Sequence, residues 1–117
     1  MVKYTATFPN GETFTINSIR EPRIAWALMN KDNKIVRHGF SGDMQKAEKT
    51  ARGYLPSEMP MNYRSNLATT IAYHTKQARK HGFKTREAWF EDCRRKTEEL
   101  RKGFKVIFAN VKIQANF

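Results

Sequence analysis

The chain has 117 residues, of which 39% are hydrophobic and 28% are charged, with a mean hydropathy of -0.74. This length and apolar content predict one folded domain spanning residues 1–117 and exclude an unfolded, purely polar chain. Twenty-two Lys and Arg against eleven Asp and Glu give a net charge of +11 and an isoelectric point near 10.1. The natural partners of such a chain are polyanions, although ordinary solubility charge is the competing explanation.

The first residues and the cysteine count indicate the cellular compartment of the protein. Residues 1–6 alternate polar and apolar types and lack the continuous apolar run of a signal peptide or a membrane span. The single cysteine, Cys93, has no partner in the chain for a disulfide, which fits a reducing compartment. We therefore expect a cytoplasmic protein that has no membrane partner.

The first forty residues carry four strand patterns. Residues 2–8 alternate in polarity, and Phe14 and Ile16 continue the alternation after Asn10-Gly11, a dipeptide that suits a tight hairpin turn. Residues 24–29 are apolar at every position, which predicts a central strand covered on both faces. Residues 35–40 follow a polar turn and predict a second hairpin.

Two helical patterns come next. The first has Ser41 as its predicted N-cap and Asp43 in its first turn, and its apolar stripe consists of Met44, Ala47, Ala51 and Tyr54. The second is predicted over about 61–81 and ends at Gly82, a typical residue just past a helix C-terminus. Its stripe consists of Tyr63, Leu67, Ile71, His74 and Ala78, spaced by three or four residues.

The third helical pattern begins after Thr85, its predicted N-cap, and ends near Gly103. Its apolar stripe consists of Phe90, Cys93, Thr97 and Leu100. Acidic and basic residues alternate on its other face, which predicts local ion pairs between neighbouring turns. Residues 106–113 then alternate in polarity again and predict a final strand that returns to the N-terminal sheet.

The resulting order is β-β-β-β-α-α-α-β. It predicts an α+β fold with a mainly antiparallel sheet of about five strands and three helices packed on one face. The expected shared core consists of Trp26, Leu28, Ile71, Phe90, Leu100, Ile107 and Val111. If buried there, Trp26 and Leu100 should each cost about 2–5 kcal/mol of stability when replaced by Ala.

A long segment without acidic residues, 59–86, is the most distinctive feature of the sequence. It contains six cations and no Asp or Glu. Cations near 76–80 compensate the negative end of a helix dipole, which is one explanation of this pattern. A surface that faces phosphates is the other, because the lack of acids across the whole segment exceeds what dipole compensation requires.

The candidate nucleic-acid-binding residues follow from this second interpretation. From the acid-free segment they are Arg64, Lys76, Arg79, Lys80, Lys84 and Arg86. The outer face of the first predicted helix adds Lys46, Lys49 and Arg52. Phosphate contacts by these side chains would supply affinity without specifying bases. Tyr63 and Tyr73 would stack on unpaired bases if exposed, although Tyr63 fits better in the core.

The sequence lacks the signatures of an enzyme or of a metal site. His38, His74 and His81 have no zinc-ligand spacing, and His74 on an apolar stripe indicates a core histidine. Cys93 lies on the inward stripe of its helix, where a buried structural thiol is the simpler explanation. No phosphate-binding glycine loop, nucleophile elbow or catalytic carboxylate pair is found. We expect a non-enzymatic protein without catalytic residues, cofactor or metal.

Residues 23–55 contain a strand with a central aromatic, a turn, a strand ending in Gly39-Phe40, and a helix with Ala47 and Ala51. In this arrangement they loosely resemble the small sheet-and-helix DNA-binding domains of integrase arms and plant AP2-type factors. Such families insert the sheet into the DNA major groove. The resemblance implies polyanion contacts from an exposed sheet surface carrying Arg23, Lys34, Arg37 and His38. Asn33-Lys34 stands where the families often have Gly, and the helical half of the chain has no counterpart.

Three classes of function remain open at this point. The leading one is a small basic intracellular accessory protein that binds DNA or RNA, of a size typical of phage and mobile-element proteins. The second is an inhibitor or adaptor that uses the same charge against an acidic host protein or a nucleoprotein complex. The third is a domain acting on a small phosphorylated ligand. Charge alone does not separate these classes, nor does it give the oligomeric state or any base specificity.

Overall fold

The computed structural model describes residues 1–114 and has the mixed α+β class that the sequence predicts. Its elements, in chain order, are β1 (Val2–Thr7), β2 (Thr13–Ser18), β3 (Ile24–Asn30), β4 (Ile35–Ser41), α1 (Met44–Gly53), α2 (Ala68–Lys80), α3 (Arg86–Arg101), β5 (Phe104–Asn110) and β6 (Lys112–Ile113). The chain forms two compact units. The first consists of Met1–Leu55 and Gly103–Phe117, and the second is Pro56–Lys102. The single-domain organisation stays a prediction.

The first unit contains two antiparallel three-stranded sheets, one with the order β2-β1-β6 and the other β4-β3-β5. The expected single sheet of about five strands is therefore divided. The division occurs because the C-terminal strand pattern, 106–113, breaks after Asn110: β5 pairs with β3, whereas β6 pairs with β1 at Tyr4 and Thr5. Six described strands result, two of them contributed by the last pattern.

Strand β3 is buried on both faces, as its continuous apolar run predicts. Ala25 and Ala27 pack with Ala6 and Phe8 of the other sheet, while Trp26 on the opposite face packs against α1. Side chains of a strand alternate between its faces, so a strand covered on both sides must be apolar throughout. The small alanines allow close approach on one side, and the large indole fills the other.

The turns of the two hairpins are joined by hydrogen bonds. Gly11 has a φ of +91°, which confirms the predicted Asn-Gly turn. Asn33 takes a φ of +60°, so it supplies the left-handed conformation at a position where Gly would be expected. The side chain of Asn10 donates to the Asn33 carbonyl at 3.0 Å, and the Ile35 amide donates to the Glu12 carboxylate at 3.1 Å.

The N-cap of helix α1 lies two residues after the predicted one. Asp43 is the N-cap, and its carboxylate accepts from the Lys46 amide at 2.8 Å, whereas Ser41 ends β4. Both residue types cap helices well, so their chemistry does not distinguish them. Ala47 and Ala51 are fully buried against Trp26, which confirms the apolar stripe at its centre.

The second unit pairs α2 with α3. Thr85 caps α3 by accepting from the Ala88 amide at 3.1 Å, as predicted. Buried residues of this unit are His74, Ala78, Phe90, Cys93 and Thr97. The Nε2 atom of His74 lies 2.9 Å from the Met61 carbonyl oxygen, and its ring packs on Phe90 at a centroid distance of 5.3 Å. His74 is thus the core histidine that the stripe predicts.

Two expectations about the helical half are wrong. Helix α2 begins at Ala68, not near residue 61, because Met61–Arg64 forms a turn in which Asn62 has a φ of +59°. Leu67 is consequently 68% exposed, and Leu100, in the last turn of α3, is 42% exposed. Of the predicted core residues, Trp26 and Ile107 belong to the first unit and Phe90 to the second, so the shared core stays a prediction.

Candidate nucleic-acid interface

The exposed face of α2 carries three of the predicted binding residues close together. Lys76, Arg79 and Lys80 are all exposed and, with Ala72 and Thr75, line a shallow depression of about 610 Å³. Positions three and four residues apart on a helix are neighbours on its surface. The short side chains of Ala72 and Thr75 therefore form a low floor beside three long cationic side chains. We call Lys76, Arg79 and Lys80 the α2 cluster.

Within residues 1–114, no member of the α2 cluster forms an ion pair with a carboxylate. Most cations of α3 and its C-cap pair with a carboxylate one turn away: Arg94 with Glu91 at 3.4 Å, Arg95 and Lys96 with Asp92, and Lys102 with Glu99 at 3.1 Å. On α1, Arg52 pairs with Glu48 at 3.0 Å, whereas Lys46 and Lys49 have no carboxylate partner in the described residues. The hydrogen bond from Lys96 lowers the pKa of Asp92, with Arg95 also contributing. The ion pairs predicted on α3 are thus confirmed.

The C-terminus of α2 is closed by backbone groups. The Phe83 amide donates to the Ala78 carbonyl at 2.9 Å, and the Gly82 amide donates to the Arg79 carbonyl at 3.1 Å. Gly82 has a φ of +86°, as the left-handed residue of this Schellman motif requires. Since these last carbonyls already have donors, they do not need the side chains of the α2 cluster. This arrangement weakens the dipole-compensation explanation of the cluster.

Two other cations of the acid-free segment lie outside this helix. Arg64 is exposed in the turn before α2, with its guanidinium carbon 5.3 Å from the centroid of the Tyr63 ring. Lys84 is exposed in the connection between α2 and α3. Both side chains remain accessible to an anion. Within the described residues they also form no ion pair with a carboxylate.

Arg86 differs from the other predicted binding residues because it is turned inward. Its side chain is only 20% exposed, and the guanidinium carbon lies 5.4 Å from the centroid of the Phe90 ring. Its Nε atom is 3.7 Å from the Glu87 carboxylate. Its Nη1 atom is buried and has no hydrogen-bond partner in the described chain. These contacts give Arg86 a structural role that its charge alone did not predict.

Lys46, Lys49 and Arg52 are exposed on α1, in the first compact unit. The α2 cluster belongs to the second unit. Each unit carries eleven Lys and Arg residues, against five Asp and Glu in the first and six in the second. Positive charge is therefore a property of both units. Helix α2 has three exposed cations without a carboxylate partner in the described chain, and α1 has two, Lys46 and Lys49.

The sheet surface implied by the DNA-binding resemblance is not free. In the β4-β3-β5 sheet, the face opposite α1 packs against the β2-β1-β6 sheet through Ala25 and Ala27. His38 stacks on Phe14 at a centroid distance of 3.7 Å, and Arg37 lies 4.3 Å from the centroid of the Tyr54 ring. With both faces packed at the centre, this sheet presents no open face of the kind that enters a major groove, although Arg23, Lys34, Arg37 and His38 are themselves exposed.

Cys93 and the histidines are the other candidate side chains for catalysis or metal binding. Burial raises the pKa of the Cys93 thiol, which disfavours the reactive thiolate. Within 1–114, no three His, Cys, Asp or Glu side chains are grouped in a way that would hold a metal ion. His81 is exposed and stacks on Trp89 with a centroid distance of 5.1 Å, a contact that sequence spacing did not indicate.

Comparison of the chain with protein-family models, curated proteins and solved structures finds no match in any of the three. None of the helices in residues 1–114 combines the length and apolarity needed to cross a membrane.

Proposed function

We propose that the protein is a small, non-enzymatic nucleic-acid-binding protein that contacts phosphates through the exposed face of α2. The main observation behind the proposal is the α2 cluster. Its three exposed cations have no carboxylate partners in the described chain, and backbone amides already cap the end of this helix. Lys and Arg neutralise phosphates and release condensed counterions, which provides affinity that does not depend on sequence.

The surroundings of the cluster favour a long polyanion over a small phosphorylated ligand. The depression along α2 is shallow and open, whereas small-molecule sites are usually deep and enclose most of the ligand. Arg64 and Lys84, at either end of the helix, would extend the positive surface along the backbone of a bound strand. Such contacts would position the nucleic acid without recognising its base sequence.

The test is a titration of labelled nucleic acid at several salt concentrations with a variant in which Lys76, Arg79 and Lys80 are changed to Gln. We expect the dependence of log K on log salt to become shallower by up to about 2.7 on duplex DNA and about 2.1 on a single strand, for three lost contacts. At about 0.1 M salt, this corresponds to roughly 100-fold weaker single-strand binding. The melting temperature should change little.

A matched control removes three charges from α3 by changing Arg94, Arg95 and Lys96 to Gln. These cations already pair with Glu91 and Asp92, so the control should alter affinity much less than the α2 variant. If the two variants lost affinity equally, the loss would be explained by their lower net charge, and the α2 surface would not be the binding site. Unchanged affinity in the α2 variant, or an acidic protein partner that survives nuclease treatment, would favour the inhibitor or adaptor function instead.

A further inference from the structure

Tyr73 is the exposed aromatic residue of the second unit. Its side chain is 60% exposed on α2, whereas the unit's other Phe, Tyr and Trp residues are buried or half-buried: Tyr63, Phe83, Trp89 and Phe90. The Tyr73 ring lies near that of His74, the next residue along the chain, with the two rings tilted relative to each other and their centroids 6.0 Å apart. A large ring held in water on a stable helix is available to a ligand.

Tyr73 is placed on the cationic face of the helix. It precedes Lys76 by three residues and Lys80 by seven, so helical geometry puts the three side chains within about 60° of one another around the axis. The rise along α2 separates Tyr73 from these two lysines by about 4.5 and 10.5 Å. An aromatic ring thus stands beside a row of cations, the combination used by proteins that bind single strands.

This arrangement favours one class of nucleic acid. Resting on the proposed function, we propose that the α2 surface binds single-stranded nucleic acid, with Tyr73 stacked on an unpaired base while Lys76 and Lys80 contact the adjoining phosphates. In a duplex, every base is already stacked between its neighbours, and pulling one out costs a few kcal/mol. In a single strand, base faces are accessible, and stacking is tolerant of sequence because every base has a π-face.

The test compares Tyr73→Leu and Tyr73→Phe with the wild type. The probes are a fluorescently labelled thymidine oligonucleotide of about 16 nucleotides, the upper end of the site sizes seen for single-strand binders, and a mixed-sequence duplex of equal length. We expect Tyr73→Leu to weaken single-strand binding roughly 5- to 100-fold and to leave duplex binding unchanged. Tyr73→Phe keeps the ring and should bind like the wild type.

Leu67→Ala is the control for the loss of an exposed apolar side chain, because Leu67 is exposed in the same unit but lies off the cationic face. It should leave affinity for both probes unchanged. Equal affinity of the wild type for both probes, together with full single-strand binding by Tyr73→Leu, would overturn the inference while leaving phosphate binding by α2 intact. Failure of the wild type to bind either probe would overturn the proposed function as well.

Discussion

Replacing Gly39 with Ala would test how tightly α1, β3 and β4 pack around Trp26. Gly39 lies directly opposite Trp26 across the β3–β4 pair, and the indole lies over it. A Cβ added at Gly39 would approach the Cε2, Cζ2 and Nε1 atoms of the indole to 2.7 Å. The optimal separation of such atoms is about 3.5–4.0 Å, so either the indole or the strand must move.

The indole has little freedom to move. Trp26 is 4% exposed, packs against Ala47 and Ala51 of α1, and stacks on the Tyr54 ring at a centroid distance of 5.6 Å. Extra atoms forced into a packed core cost about 1–3 kcal/mol. For a domain of this size, the melting temperature should fall by about 4–15 °C. Urea unfolding followed by circular dichroism would measure the loss of stability.

Gly42→Ala is the matched control, because a Cβ at Gly42 meets nothing within 4 Å. Its effect should stay within about 0.5 kcal/mol. A double-mutant cycle with Trp26→Ala completes the test: once the indole is removed, Gly39→Ala should cost little, giving a coupling of about 1–3 kcal/mol. If Gly39→Ala were as harmless as Gly42→Ala in the wild-type background, the close packing of Trp26 over β4 would be refuted.

Two further predictions concern α3. Cys93→Ala should retain the proposed nucleic-acid binding and cost only about 1 kcal/mol, because Cys93 is a small buried residue. Burial raises the pKa of its thiol, so labelling by a thiol reagent should be slow at neutral pH and faster in alkali; fast labelling of the folded protein would contradict this. Leu100→Ala should cost less than about 1 kcal/mol in urea unfolding, because Leu100 is 42% exposed; a cost of 2 kcal/mol or more, about that of a buried leucine, would show that its side chain is packed.

The sequence predicts those parts of the fold that depend on local chemistry. Four local features are confirmed, because each depends on residues that are close together in the chain. They are the unbroken apolar run of β3, the Asn10-Gly11 turn, the Thr85 cap, and Gly82 at the end of α2. The start of α2 is different. Tyr63 and Leu67 continue the helical spacing of Ile71, but Asn62 is in a left-handed conformation and Leu67 provides no side-chain cap.

The candidate site is predictable only in part for a related reason. The absence of Asp and Glu over 59–86 shows that local ion pairing is impossible within the segment, and the structure accordingly contains exposed cations on α2. Residue spacing does not reveal which side chains turn inward, so the sequence does not show that Arg86 is largely buried whereas Lys84 is exposed. The division of one predicted sheet into two likewise depends on pairing between distant segments, which periodicity does not encode.

The order of the strands has a consequence for the protein's biosynthesis. Strand β1 has β2 and β6 as neighbours, and β3 has β4 and β5, so each sheet receives its third strand from the segment after residue 103. Before the ribosome releases that segment, both sheets exist only as two-stranded hairpins, which are marginal in water. The N-terminal half must therefore wait, with its apolar faces incompletely covered, until the segment after residue 103 has left the ribosome. Chaperone dependence during translation would arise from this topology.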